Sequence, residues 1–127
     1  VAFDNAVVLN LRYRDFISLH KIRGVDQDYV VVVTIGGGPG TCVWFKQAEI
    51  YMDSPSLGLQ RLKALPLGGY LGCKDGRELS CGCGTWEADW TTTSGPREAT
   101  LVTTPKVTYD PDKDAAAPPP AQRWRGY

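Results

Sequence analysis

The sequence predicts a mainly β protein: a small antiparallel sheet or barrel with one short helix and an extended Pro-rich C-terminal tail. Three observations predict this class, namely segments of alternating polarity, an unbroken β-branched run, and a proline cluster near the end. A chain of 127 residues fits one domain that can fold without a metal or disulfides. We therefore expect a globular β-rich domain over residues 1–109 and an acidic, Pro-rich tail over residues 110–127.

Alternating and β-branched segments predict the strands of this domain. Residues 7–13 alternate between apolar and polar side chains, which is typical of a half-buried strand. Residues 15–23 are ambiguous, because their apolar residues keep helical spacing in a length that also suits a strand. Residues 29–35 are β-branched without a break, which favours a central strand covered on both faces. The Gly-rich residues 36–40 and the renewed alternation over residues 41–51 then predict a hairpin.

A short helix is expected after this hairpin. Asp53 can cap it, and Pro55 suits its first turn. Its apolar face consists of three leucines at three-residue spacing: Leu59, Leu62 and Leu65. Pro66 ends the helix. Residues 101–109 alternate again, and Pro105 makes that segment an edge strand.

Charge and hydropathy exclude two classes of partner. The chain has 14 lysines and arginines against 14 aspartates and glutamates, so it lacks the basic footprint that binds phosphates, and we expect no nucleic acid partner. The longest strongly apolar run, residues 30–35, is far shorter than the roughly 20 residues of a transmembrane helix, so no transmembrane segment is predicted. The first residue is valine, which suits a processed N-terminus and favours an extracytoplasmic or organellar location without deciding it.

Four cysteines are disulfide candidates: Cys42, Cys73, Cys81 and Cys83. Residues 74–77 resemble a turn, which predicts that outside the cytosol Cys73 pairs with Cys81 or Cys83. A direct Cys81–Cys83 bridge would strain the preferred dihedral, so the remaining cysteine pairs with Cys42 or stays free. The alternatives are free cysteines packed as small apolar groups and, less favoured, a zinc site. We assign no metal site.

Catalytic motifs are sparse. The Gly-rich loop, residues 36–40, lacks the Gly-Lys-Ser/Thr ending of a phosphate-binding loop. His20 is the only histidine, so any histidine-based triad must use it. An enzyme that uses His20 or a cysteine is the weakest functional hypothesis, and we expect no catalytic residue and no cofactor.

Two tryptophans suggest a second hypothesis. Trp86 and Trp90 are four residues apart and would share one face of a helical turn. There they could stack on sugar rings, as in a small extracytoplasmic ligand-binding or glycan-binding module. The alternative is that both rings cap the core.

The tail suggests the leading hypothesis. Residues 115–121 favour an extended polyproline conformation, and the chain then ends in two aromatic and two basic side chains: Arg123, Trp124, Arg125 and Tyr127. Such side chains often anchor interfaces, and a stiff spacer presents them at little entropic cost. We therefore expect a non-catalytic accessory or structural subunit of a larger protein assembly, which docks on other protein subunits through this C-terminal arm (residues 110–127). The alternative is that Trp124 folds back onto its own domain.

Overall fold

A computed structural model describes residues 14–37, 42–56, 58–79 and 81–127. Within these residues, seven strands form one open antiparallel sheet in which each strand pairs with the next one along the chain. The strands are β1 (Arg14–Arg23), β2 (Asp28–Gly37), β3 (Trp44–Ser54), β4 (Gly58–Leu71), β5 (Gly84–Ser94), β6 (Ala99–Tyr109) and β7 (Arg123–Gly126). The ambiguous segment, residues 15–23, is therefore a strand, whereas the strand predicted over residues 7–13 lies outside the described residues.

β2 is an interior strand that is covered on both faces, as its unbroken apolar run predicts. Residues 30–33 are all valine and are at most 1% exposed. β1 pairs with one edge of β2 and β3 with the other, and the β2–β3 hairpin forms as expected. Valine suits this position because its branched side chain packs well on a pleated surface that is covered on both faces.

The predicted helix is wrong. The three leucines lie on β4, where alternation decides which side chains are buried. Leu65 and Leu67 are fully buried, whereas Leu62 is 46% exposed. Long-range pairing with β3 overrides the leucine spacing, and Pro66 is accommodated beside a register shift in that ladder. The described residues contain no helix, and so none that has the length and apolar character to cross a membrane.

The sheet curls so that strands that are distant in the sheet meet across its inner face. The His20 ring on β1 lies edge-on to the Trp90 ring on β5, with ring centroids 4.7 Å apart. Tyr29 on β2 meets Trp124 on β7 in the same way, at 4.8 Å. The main core lies between these contacts and includes Val31, Val33, Ile50, Leu65, Leu67 and Leu101.

A second, smaller cluster covers the other face of β2. It contains Val30, Val32 and Tyr51, next to the carboxylate of Glu49, which is 1% exposed. The Tyr51 hydroxyl donates to one carboxylate oxygen of Glu49, and Gln47 Nε2 donates to the other at 2.8 Å. These hydrogen bonds compensate for the removal of the carboxylate from water.

The C-terminal arm returns to the sheet, which corrects the expectation that it stands apart from the core. Ala115 and Trp124 are 5% and 8% exposed and belong to the main core cluster. β7 pairs with the first four residues of β6. The alternative interpretation of Trp124 therefore holds, because burial of an indole ring removes a large apolar surface from water.

The Pro-rich part of the arm is fastened at both of its ends. Ala116 N–H donates to the Gly72 carbonyl at 2.8 Å, and Thr103 N–H donates to the Gln122 carbonyl at 2.9 Å. The segment between Ala116 and Gln122 therefore connects the end of β4 with the middle of β6. Its extended polyproline conformation stays a prediction.

Candidate functional site

The end of the C-terminal arm is held by two aromatic rings. The Trp124 ring packs against Tyr29 at an interplanar angle of 78°. The Tyr29 hydroxyl donates to the main-chain oxygen of Tyr127 at 2.8 Å, and Gln27 Nε2 donates to the Tyr29 hydroxyl at 3.1 Å. We call the receiving surface the arm seat (Gly24, Gln27, Tyr29 and Leu101).

Two glycines permit this close approach. A Cβ atom on Gly126 would lie 2.5 Å from the Tyr29 ring and would also meet the Trp124 ring. A Cβ atom on Gly24 would lie 2.9 Å from the Tyr127 carbonyl oxygen. The arm seat therefore accepts a segment with tryptophan and glycine two residues apart, and a larger residue at either glycine would push the arm away.

The predicted partner-binding residues divide between the two faces of β7. Trp124 points into the core, while Arg123, Arg125 and Tyr127 are exposed. While the arm occupies its own seat, the Trp124 ring is therefore not available to a partner. Partner binding by the three exposed residues stays a prediction.

The two tryptophans proposed to bind a ligand lie on β5 instead of a helical turn. They do share a face, because residues four apart also lie on one side of a strand. That face is the inner one: Trp86 is 5% exposed and belongs to the core, and Trp90 is partly buried against it. The core interpretation of Trp86 is therefore correct, whereas Trp90 keeps part of its surface exposed, and ligand binding by the pair stays a prediction.

His20 lies at the surface near one rim of the sheet. Its Nε2 atom is 3.0 Å from the Ser18 hydroxyl oxygen, and its ring edge contacts Trp90. Among the described residues no carboxylate forms a hydrogen bond or ion pair with the His20 ring, so the acid of a triad is not assembled there. A cysteine nucleophile is ruled out in this state, because all four cysteines form disulfides.

The disulfides join Cys73 to Cys83 and Cys42 to Cys81, with Cα atoms 5.1 and 4.6 Å apart. The predicted pairing of Cys73 is confirmed, and Cys42 takes the remaining cysteine of the close pair, so no cysteine is a free thiol in this structure. Both bridges end in the short segment Cys81-Gly82-Cys83, so they fasten the β2–β3 loop and the end of β4 to the same point. Two disulfides fit an oxidising, extracytoplasmic environment.

A cleft of about 260 Å³ lies beside these bridges. We call it the tyrosine cleft and define it by Tyr70, Arg77, Leu79, Tyr109 and Asp112. Tyr70 is 36%, Leu79 52% and Tyr109 62% exposed, so large apolar surfaces face the solvent. The bridged segment forms part of the wall, and Gly82 adopts a φ of 64° there, which favours glycine.

The charges around the cleft are partly paired. Arg77 Nε lies 2.6 Å from an Asp75 carboxylate oxygen, and Arg77 Nη2 lies 3.5 Å from Asp114. The backbone N–H and the guanidinium of Arg77 hold the pKa of Asp75 below its ordinary value. Asp112 forms no hydrogen bond or close ion pair with a described residue, although its charge also acts on the Arg77 guanidinium. The cleft therefore holds one carboxylate whose oxygens have no hydrogen-bond donor among the described residues.

Sequence reasoning missed this cleft because its residues come from four separate segments. Tyr70 ends β4 and Tyr109 ends β6, while Leu79 and Asp112 lie in loops. The only signal in the sequence was the cysteine cluster, since a bridge from Cys73 to Cys83 must bring the end of β4 to the start of β5.

The described residues include no group of three or more histidine, cysteine, aspartate or glutamate side chains placed to hold a metal ion. The candidate functional site consists of the two surfaces described above, the arm seat and the tyrosine cleft. A scan against protein-family models, a search of curated proteins and a search of solved structures each found no match.

Proposed function

We propose that the protein is a non-catalytic structural subunit that joins copies of itself by exchanging C-terminal arms. In this arrangement, β7 of one copy occupies the arm seat of the next copy. The observation that supports the proposal is the contrast within the arm: its tip is recognised by a specific aromatic contact, whereas its Pro-rich segment makes no strand ladder. Such an element can change seats without disturbing the sheet that it leaves.

The energetic cost of exchange is small. Every contact between β7 and β6 within one copy can be made again between two copies, so only the connecting residues must rearrange. Those connecting residues are 110–114, which form a turn in which Asp114 N–H donates to Asp110 Oδ1 at 3.1 Å. An exchanged arm would straighten this turn and keep the remaining contacts.

The turn itself favours opening. Lys113 has a φ of 59°, a left-handed conformation that disfavours residues with a Cβ atom by about 1 kcal/mol. An extended hinge removes this strain, and short strained hinges promote exchange between copies. Lys113 is exposed, so it can be changed without disturbing the core.

Variants at Lys113 test the proposal through the oligomeric state. We expect Lys113→Pro to favour the exchanged dimer, because proline cannot adopt a positive φ. Lys113→Gly relieves the strain in the closed turn and should weaken the dimer by at least about tenfold. Lys113→Ala, which removes the charge and the aliphatic stem but keeps the Cβ atom, is the matched control and should resemble the native chain. Size-exclusion chromatography with light scattering over a concentration series measures all three.

A complementation experiment tests whether the Trp124 ring of one copy contacts the Tyr29 ring of another copy. Tyr29→Ala damages the seat but keeps the arm, whereas Trp124→Ala damages the arm but keeps the seat. When the two variants are refolded together, an exchanged dimer regains one intact pairing, so mixed dimers should exceed either homodimer in native mass spectrometry. Monomers for every Lys113 variant at high concentration, or association that survives Trp124→Ala, would contradict the proposal. A different protein that co-purifies through Trp124 would support docking by the arm but contradict exchange between copies.

A further inference from the structure

We infer that the tyrosine cleft is a binding site for a basic side chain, lysine or arginine, of a protein partner. The cleft lies at the Tyr109 end of β6 and the arm seat at the Ala99 end, but Asp112 and Asp114 of the hinge also line the cleft, so the inference concerns the chain whose arm occupies its own seat. Three properties of the cleft lead to it: two exposed aromatic faces, an excess of negative charge, and walls that are fixed before binding.

The aromatic faces suit an aliphatic stem that ends in a cation. Tyr70 and Tyr109 flank the cleft, and Leu79 adds an apolar side chain at the rim. A lysine or arginine side chain can lay its methylene groups on such a surface. Its charged end then gains cation–π attraction from the tyrosine rings.

The charge of the lining selects a cation over an anion. Two carboxylates, from Asp112 and Asp114, and one guanidinium, from Arg77, line the cleft. Arg77 is already engaged by Asp75 and Asp114, so it is a poor receptor for an anionic ligand. Asp112 interacts with Arg77 through its charge but forms no hydrogen bond or close ion pair with a described residue, so its carboxylate supplies the counter-charge for a bound ammonium or guanidinium group.

The walls are fixed by covalent and aromatic contacts. Cys81 and Cys83, which both line the cleft, are bridged to Cys42 and Cys73. The Tyr70 ring lies edge-on to Trp44, with centroids 6.1 Å apart. The Trp44 ring in turn lies over Gly68, where a Cβ atom would be only 2.9 Å away. A preformed site loses little conformational entropy when it binds.

Small probes test the inference on the oxidised full chain. The probes are the N-acetyl, N-methylamide derivatives of lysine and arginine, with the norleucine derivative as the uncharged match for lysine and the glutamate derivative as the anion. Binding is followed by NMR shifts of the Thr85 and Tyr109 amides. We expect the basic probes to bind at least about fivefold more tightly than norleucine, and to weaken as salt is raised.

Matched variants locate the site. Asp112→Asn and Tyr109→Ala change exposed residues and should each weaken the lysine probe by about threefold or more, while Asp26→Asn, in the β1–β2 turn, should leave it unchanged. Equal binding of norleucine, preference for glutamate, or an unchanged Asp112→Asn variant would overturn the inference. Equal binding of n-butylammonium, which lacks the peptide groups, would assign the cleft to free amines and overturn the protein partner. Trp124→Ala tests arm exchange alone, because Trp124 does not line the cleft.

Discussion

The two ends of β6 are held in different ways. At the Ala99 end, β7 contributes four paired residues and one buried ring, all of them non-covalent. At the Tyr109 end, the neighbouring segments are fastened by two disulfides and by the ion pairs of Arg77. One small sheet therefore combines a replaceable strand with a cleft that has a rigid wall. Non-covalent contacts hold the strand, whereas disulfides hold the wall of the cleft.

This difference assigns a different role to each end. A non-covalent strand can leave and return on the time scale of local unfolding, so it is suited to exchange between copies. The bridged wall of the cleft stays in place while the strand exchanges, whereas Asp112 and Asp114 move with the hinge. We therefore expect the complete partner site only while the arm occupies its own seat.

The largest expected effect is the loss of the ring that holds the non-covalent end. Trp124→Ala should lower the free energy of unfolding by about 3–5 kcal/mol, because it empties a core position that is only 8% exposed. Urea denaturation measures the change, and Arg125→Ala, an exposed neighbour on the same strand, is the control. A loss below about 1 kcal/mol would show that the ring does not hold the arm, since buried tryptophans cost more than that.

The stability that each disulfide contributes at the Tyr109 end is measured by removing one bridge at a time. On the chain-entropy model, Cys42→Ser with Cys81→Ser opens a link between residues 39 apart and should cost about 3.9 kcal/mol. Cys73→Ser with Cys83→Ser opens a link between residues 10 apart and should cost about 2.7 kcal/mol. Each double variant should leave the NMR resonance of the Trp124 indole N–H unchanged if the two ends are independent. A change of that signal would contradict the independence of the two ends of β6.

Two glycine substitutions test the close packing of the arm seat and have smaller expected effects on stability. Gly126→Ala places a methyl group against the Tyr29 and Trp124 rings and should destabilise the protein by about 1–3 kcal/mol through overpacking. Gly72→Ala is the matched control, because a Cβ atom there meets nothing within 4 Å. Equal stability of the two variants would contradict the close packing described for the arm seat.

The smallest effect concerns pH at the covalent end. The folded pKa of Asp75 lies below its ordinary value, so its ionised form stabilises the Cys73–Cys83 loop at higher pH. This contribution is complete above the unfolded pKa and is lost as the pH falls through the lower, folded pKa. A carbon-13 titration of the Asp75 carboxyl should show the low midpoint. Arg77→Ala should raise it only part of the way, because the Arg77 backbone N–H remains.

Local patterns in the sequence predicted the strands with the strongest signals. The valine run of β2 is sufficient by itself, because a segment without polar side chains must be covered on both faces. The leucines of β4 are not sufficient, since three-residue spacing suits a helix and also leaves Leu59 and Leu65 compatible with a strand. Pairing of β4 with β3 decides between a helix and a strand, and no local pattern in the sequence predicts that pairing.

The candidate sites depend on contacts between distant residues, which is why the sequence predicted them only in part. Composition predicted an extended arm with an aromatic tip, but the receptor of that tip is Tyr29, and its hydrogen bond to Tyr127 spans 98 positions. The Cys73–Cys83 bridge was predictable because a turn lies between the two cysteines. The tyrosine cleft was not, because strand pairing and bridging together create it.

The order of strands in the sheet also has a consequence for how the protein is made. Because sheet order equals chain order, a growing chain can add each strand to the one made just before it, with short loops to close except before β5 and β7. β7 follows β6 in the chain, so the surface around Tyr29 and Leu101 is formed before its own arm has been synthesised. During that interval the arm of a finished neighbour can fill it, and copies made close together on one messenger RNA would be the first to become linked.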